Sequence, residues 1–247
     1  MEPLGHSPSA ESEIAEDGQA PSGGWPPGWT VHEVTETGST NTDLSARYLS
    51  LPDRSVLRAD HQTAGRGRLD RRWDAPPGSN LLASLLFRKV PADPGELMRR
   101  VALAAVDAVR PLSTQSPALK WPNDVLLDGR KLAGLLAQRT DDGSVVVGIG
   151  LNVGWAPEGA ARLDTNATPG EVLARLLAAY DSLPDDVEAH YRSALATLGA
   201  RVRVELPDGH LVGTAVDVER DGRLVVVDEC AISHRLSIGD VVHLRPA

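Results

Sequence analysis

The sequence predicts an α+β fold: a mixed, mainly antiparallel central sheet with helices packed on it, followed by a small C-terminal SH3-like β-barrel. Two apolar runs, NLLASLLF at 80–87 and VVVGIGLNVGW at 145–155, have the length and composition of buried strands. The connections at 122–124 and 128–129 read as a bend and a hairpin rather than crossover helices, which argues against a βαβ series. From Arg201 the texture changes to about five short alternating strands (RVRVEL, LVGTAVDVE, RLVVVDE, ISHRL, VVHLR), separated by PDGH, RDG and IGD turns.

In chain order, residues 1–28 are rich in Pro, Gly, Ser and acidic side chains and are expected to be disordered. A strand at 30–34 runs into Ser39, Thr40 and Asn41, all able to cap the short helix TDLSARYLS, which stops before Pro52. A strand at 56–59 leads into a basic loop, and the apolar strand at 80–87 follows. ELMRRVALAAVDAVRPL then puts Leu97, Val101, Ala104, Ala105 and Ala108 on one helical stripe. A short strand at 118–121, the bend Pro122-Asn123-Asp124, and strands at 125–127 and 131–138 around Asp128-Gly129 come next. The strand at 145–155 is interrupted by Gly148 and Gly150, which is easier to understand where a ligand or another backbone passes close. Thr168-Pro169-Gly170-Glu171 is a helix start with a cap, proline at N1 and glutamate at N3. A further helix is expected over 184–198, ending at Gly199. The expected division is 1–28, 29–199 and 200–247.

Composition narrows the function. Hydrophobic content of 41% and charged content of 24% are those of a soluble globular chain, and 247 residues suffice for one core plus a small second domain. No run of 18 apolar residues occurs, so no membrane partner is expected, and the N-terminus lacks signal-peptide features, which implies a cytoplasmic protein. The lone Cys230 excludes an internal disulfide and a multi-cysteine metal site; its alternation within VVVDEC predicts a buried or half-buried position. Only three of 25 basic residues are lysine, so Lys120 and Lys131 are candidates for work that needs a compact ammonium rather than a planar fork.

The densest local signal is 59–74, ADHQTAGRGRLDRRWD, a basic stretch in a chain of formal net charge −9. It has neither helical nor strand periodicity and reads as a loop, in which Gly65 and Gly67 permit tight turns or close approach to a ligand. Guanidinium forks there suit carboxylate or phosphate oxygens; the plain alternative is a solvated arginine-rich surface loop. No P-loop, dinucleotide fingerprint, G-x-S-x-G or histidine pair of ligand spacing occurs, which sets aside hydrolase and dehydrogenase readings. What remains is electrophilic: Arg66, Arg68 and Lys131 can neutralise phosphate and carboxylate together, Asn123 and Asp124 can order a divalent ion or an attacking amine, and Trp73 can cover a flat ring.

Five blocks in this order resemble the biotin–protein ligases: Gly38-Ser39-Thr40-Asn41; Gln62-Thr63-Ala64-Gly65-Arg66-Gly67-Arg68 with Trp73; Lys120-Trp121-Pro122-Asn123-Asp124; Lys131-Leu132-Ala133-Gly134; and Gly148-Ile149-Gly150-Leu151-Asn152-Val153. The resemblance covers about residues 30–247. It implies the biotin–lipoate ligase catalytic fold, similar to class II aminoacyl-tRNA synthetases, and the making of biotinyl-5′-AMP from biotin and ATP with Mg²⁺. Transfer of biotin to a lysine of a biotin carboxyl carrier domain of an acyl-CoA carboxylase would follow. By the same resemblance Ser39, Thr40 and Gln62 would fix the ureido and valeryl parts of biotin, with Asn41 beside them. Gly65, Arg66, Gly67 and Arg68 would belong to a loop that orders over biotin and the adenylate. Lys131 would contact the biotin carboxylate and the α-phosphate, Gly134 would leave room for the bicyclic ring, and Trp73 would pack near the nucleotide. Asn152 would hold ATP or its metal, and Asp124 the metal, nucleotide or incoming lysine, with Asn123 adjoining.

Only about 30 residues precede the catalytic region, so the resemblance is to the monofunctional type and no DNA partner is expected. The arginine-for-lysine composition points to a high-GC actinobacterium. A monomer or weak homodimer is expected. A lipoate or octanoate ligase is the nearest rival. A nucleic-acid-binding module is disfavoured by the net charge and the lack of an aromatic platform among the arginines.

Overall fold

Strand alternation decides which residues face which layer in this molecule. The computed structural model describes residues 24–244 except Asp70, Asp208 and Ile238; the expected disordered stretch over 1–23 lies outside the described residues. The elements are β1 (Thr30–Thr37), α1 (Thr40–Arg47), β2 (Ser55–Gln62), β3 (Leu81–Phe87), α2 (Gly95–Val109), β4 (Pro117–Lys120), β5 (Asp124–Leu127), β6 (Arg130–Arg139), β7 (Val145–Leu151), α3 (Pro169–Ser182) and α4 (Glu188–Ala194). The strands β8 (Arg201–Leu206), β9 (Gly209–Val218), β10 (Leu224–Asp228), β11 (Ser233–Leu236) and β12 (Asp240–His243) complete the chain.

The central sheet has the order β1-β2-β3-β7-β6-β5-β4. Only β1 and β2 are parallel, with α1 as their crossover, and every other pairing is antiparallel, so the sheet is mixed as expected. On one face Leu81, Leu85 and Phe87 of β3 and Val145, Val147, Ile149 and Leu151 of β7 join α2 and α3 in the main apolar core. On the other face Leu57, Leu86 and Val146 pack beneath Leu44 of α1. Asp128 and Gly129 both have positive φ, 51° and 71°, as a tight hairpin turn requires. Thr168 and Glu171 form the reciprocal capping box at the start of α3. Trp29 ties β1 to α3: its Nε1 donates to Asp181 Oδ2 at 3.0 Å, and its ring meets Phe87 and Tyr180 edge-on.

Three expectations are corrected. The C-terminal region is not an SH3-like β-barrel. Its strands form an open sheet in the order β11-β10-β9-β8-β12. Closure would need a ladder between β11 and β12, and these four-residue strands pair instead with β10 and β8. The apolar side of this sheet (Val202, Val204, Ala215, Val218, Leu224, Val226, Val241) is buried in the same cluster as the central sheet, so it has an outside partner and no lumen to fill. The helix expected over 184–198 is confined to α4, because Leu195 leaves helical geometry to bridge Leu119, and Thr197 Oγ1 accepts from Trp121 N at 3.0 Å. Cys230 is exposed: β10 ends at Asp228, whose Oδ1 accepts from both Cys230 N and Ile232 N and so builds a turn there.

Candidate active site

Two rows of register partners make the floor. Ser84, Gly148 and Leu136 align across β3, β7 and β6; Leu82, Gly150 and Gly134 align one pair further along, and Asp124 extends that row onto β5. Partners in register point to the same face, so the glycines cut a trough into the face that carries α1. A Cβ at position 148 would stand 2.5 Å from Asn41 Oδ1, and one at 150 would stand 2.6 Å from Trp73 Nε1. The close approach expected at these glycines is therefore made by two of the protein's own side chains.

A bulge places the central cation. Val125 pairs with Ala133 and Leu126 with Lys131, leaving Leu132 unpaired. Lys131 and Gly134 are three residues apart, and plain alternation would send them to opposite faces; the extra residue brings both to one cavity. Lys131 Nζ lies 2.6 Å from Asp124 Oδ1, an ion pair by proximity without hydrogen-bond alignment, and 5.7 Å from the centre of the Trp73 ring. The space over Gly134 is occupied: Lys131 Nζ and Trp73 Cζ3 are 3.1 and 3.2 Å from where its Cβ would stand.

The N-terminus of α1 supplies the neutral polar groups. Ser39 is the N-cap but makes no side-chain cap bond, and it lines the cavity. Thr40 N and Thr40 Oγ1 both donate to Gln62 Oε1, at 2.7 and 3.0 Å. The Thr40 and Ser84 hydroxyls lie 2.8 Å apart, Ser84 Oγ donates to Asn41 Oδ1 at 2.8 Å, and Asn41 Nδ2 donates to Leu136 O at 3.1 Å. With the Thr40 proton given to Gln62 and the Ser84 proton to Asn41, the Thr40–Ser84 approach is a close contact between two hydroxyls already engaged, and the network sets Thr40, Asn41 and Gln62 relative to one another.

The basic loop folds back as a narrow finger. Trp73 N donates to Gly65 O at 3.0 Å and Gly67 N to Arg71 O at 2.7 Å, with a bridge between Arg66 and Arg72. A Cβ at Gly65 would overlap the Trp73 carbonyl, so only glycine fits there. Gly65 is the one sequence candidate that does not line the cavity; it shapes the finger instead. Arg68 Nη1 donates to Asn123 Oδ1 at 3.0 Å, and Asn123 Nδ2 donates to Leu135 O at 2.7 Å. Burial draws the Arg68 guanidinium below its ordinary value, while the charges of Asp240 and Asp124 oppose that shift. Arg66 lines the cavity and makes no ion pair among the described residues.

These groups enclose a cavity of about 380 Å³ lined by Ser39, Thr40, Asn41, Gln62, Arg66, Gly67, Arg68, Trp73, Asn123, Asp124, Lys131, Gly134 and Asn152. Asn152 also serves the fold: its Nδ2 donates to Ala161 O at 2.9 Å and its Oδ1 accepts from Asn80 Nδ2 at 3.3 Å. Sequence reasoning missed Ser84, which is fully buried, and Asp240, both of which line the cavity. The signal for Ser84 was its place as the one polar residue inside LLASLLF. Asp240 had no signal of its own, because it comes from the C-terminal sheet. Chemically, the cavity offers neutral donors and acceptors at the Ser84–Gly148 row, under Thr40, Asn41 and Gln62, and at the next row the Asp124 carboxylate with the Lys131 ammonium 2.6 Å from it. Two residues of strand separate the rows, roughly 7 Å.

Residues 31–155 match the Biotin/lipoate A/B protein ligase family and residues 197–243 the Biotin protein ligase C terminal domain. A biotin–[acetyl-CoA-carboxylase] ligase of Mycobacterium tuberculosis is 43% identical over 244 residues, covering 88% of this chain and 91% of that protein. The bifunctional ligase/repressor BirA of Escherichia coli is 28% identical over 89% of this chain and 75% of its own length. Among solved structures, the biotin protein ligase from Aquifex aeolicus in complex with biotin and ATP superposes with a TM-score of 0.75 at 25% identity, over 88% of this chain and 99% of that one. Among the described residues no helix is long and apolar enough to cross a membrane.

Proposed function

The chain belongs to the biotin/lipoate A/B protein ligase family, and from that premise we propose how its residues divide the work of an ATP-dependent biotin–protein ligase. The enzyme makes biotinyl-5′-AMP and passes biotin to a lysine amine of a carrier protein. In the first step a biotin carboxylate oxygen bonds to the α-phosphorus of ATP and pyrophosphate leaves. In the second, the acceptor amine attacks the acyl carbon and AMP leaves. The acceptor is a biotin carboxyl carrier domain of an acyl-CoA carboxylase.

The observation that carries this reading is one cavity lined both by the neutral network of Thr40, Gln62, Ser84 and Asn41 and by the charged groups of Lys131, Asp124, Arg66 and Arg68. Ser39, Thr40 and Gln62, with Asn41 orienting them, hold the ureido ring and valeryl chain at the Ser84–Gly148 side of the cavity. Lys131 brings the carboxylate and α-phosphate together and offsets the charge that grows on the transferring phosphoryl group. To do so it exchanges its Asp124 contact for substrate oxygens, which leaves Asp124 to orient metal, nucleotide or the incoming lysine. Arg66 and Arg68 close over the phosphates, with Gly67 between them and Gly65 shaping their loop. Trp73, seated on Gly134 and Gly150, walls the nucleotide side. A dry, closed site protects a mixed anhydride that water would hydrolyse.

Among the described residues no three His, Cys, Asp or Glu side chains cluster as metal ligands. A magnesium ion carried on the nucleotide needs only one or two protein carboxylates besides phosphate oxygens and water, and the cavity offers one in Asp124, whose Oδ1 is buried without an aligned hydrogen bond. Asp124 would supply the carboxylate, beside Asn123, and Asn152 the remaining lone pair of its Oδ1. Such an ion supplies neutralisation of the phosphate charge.

ATP–pyrophosphate exchange, run in parallel with biotin and with lipoate, tests the reading. Biotin-dependent exchange is expected; exchange with lipoate alone, or with neither acid, contradicts it.

A further inference from the structure

The tip of the arginine finger does not end in solvent. Arg68 spreads its fork between two bodies: Nη1 donates to Asn123 Oδ1 in the central sheet, and Nη2 donates to Gly239 O in the C-terminal sheet at 3.1 Å. Three residues on, Arg71 Nη2 reaches Asp240 Oδ2 at 2.6 Å. Both acceptors sit where β12 begins, about 170 residues beyond the finger in sequence, as the separations of 171 and 169 show.

The acceptor end is rigid. Asp240 pairs with Glu205 at the end of the β12–β8 ladder, and a Cβ on Gly239 would stand 2.5 Å from Val204 Cγ1, so this backbone is packed hard against β8. The finger supports itself through few bonds: the two backbone bonds that make the Arg66–Arg72 bridge, a turn bond from Arg71 N to Arg68 O at 3.2 Å, and Arg72 Nη2 to Thr63 O at 3.3 Å near its base. Leu69, at its turn, has a φ of 55° and is 68% exposed, so no apolar burial holds the tip down. The three guanidinium contacts, two from Arg68 and one from Arg71, are what anchor the tip. Arg68, Arg71 and Asp240 all line the cavity, so the anchored position covers the site.

We propose that the start of β12 is a latch for the arginine finger, and that Asp240 is a positioning residue that holds Arg68 and Arg71 over the cavity. The C-terminal sheet thereby serves the reaction by fixing the lid rather than by touching substrate. This rests on the ligase reading where adenylate retention is concerned, but the latch itself is a property of the ligand-free chain. Arg68 spans the gap as a planar fork whose two terminal nitrogens reach separate acceptors, a reach and fixed geometry that the compact ammonium of lysine does not reproduce.

The test uses the full chain carrying Asp240→Asn, which keeps the shape and removes the charge, and a charge swap of Arg71→Asp with Asp240→Arg. Two rates are read at matched melting temperature: cleavage of the ligand-free protein by trypsin within residues 66–72, and release of preformed biotinyl-5′-AMP. Asp240→Asn should raise both by roughly two- to fivefold, the range of an ion pair of this exposure, and the swap should bring release back toward the parent rate. The same melting temperature with faster release separates positioning from mere stability. If Asp240→Asn is cut at the parent rate, the latch is overturned. If the parent protein fails to hold biotinyl-5′-AMP, the ligase reading falls, and the cleavage rates still decide the latch.

Discussion

The two faces of the central sheet are made by the same strands and do opposite things. On β3 and β7 the residues facing α2 and α3 (Leu81, Leu85, Phe87, Val145, Val147, Ile149, Leu151) are all apolar and buried. Their immediate neighbours on the other face include Ser84, Gly148 and Gly150, which leave a trough and a hydroxyl where the first face has branched side chains. A two-residue period lets one strand hold a core with one set of residues and a site with the other. Core and site can therefore be damaged separately, and the expected effects divide accordingly.

The largest effect is expected on the site face. Lys131→Ala should slow biotinyl-5′-AMP formation by about 10²–10³-fold, the size of losing one charge-stabilising donor. Lys131 is 40% exposed, so the denaturant midpoint should hardly move. Leu85→Ala on the opposite face should cost about 2–5 kcal/mol in unfolding free energy, read by urea titration, because it empties a fully buried position. Gly150→Ala probes the seam between the two. Its added methyl meets the Trp73 ring, so a stability loss of about 1–3 kcal/mol is expected, and Trp73→Ala in the same chain should relieve part of it. The smallest effect belongs to Ser84→Ala, which removes one hydroxyl from the Thr40–Asn41–Gln62 network. About 1 kcal/mol of biotin affinity should be lost, seen by calorimetry as a severalfold weaker Kd with little change in the chemical step.

What could be read in the sequence follows the range of the interactions concerned. The hairpin at Asp128-Gly129 and the capping box at Thr168 and Glu171 are local geometry, and the structure has both. The glycines at 148 and 150 announced a close approach, but their partners, Asn41 and Trp73, lie far away in the chain and had to be found in space. The bulge at Leu132 is invisible to alternation because it is the break in alternation that gives Lys131 and Gly134 a common face. Ser84 hid inside an apolar run, since one hydroxyl among leucines carries no period of its own. The open C-terminal sheet was mistaken for a barrel because strand count and turn spacing are the same for both. What differs is that its apolar side is covered by the central core. Asp240 depended on that packing, so its link to the arginine finger was beyond reach of the sequence.

The division between faces is tested most directly by a single-turnover time course of biotinyl-5′-AMP formation per folded molecule, run side by side on Lys131→Ala and Leu85→Ala with the unfolding midpoint measured on the same samples. The account predicts that Lys131→Ala unfolds like the parent protein and forms adenylate hundreds of times more slowly. It predicts that Leu85→Ala unfolds far more easily yet adenylates at the parent rate once corrected for its folded fraction. Parent-like adenylation by folded Lys131→Ala, or a comparable chemical defect in folded Leu85→Ala, would contradict it.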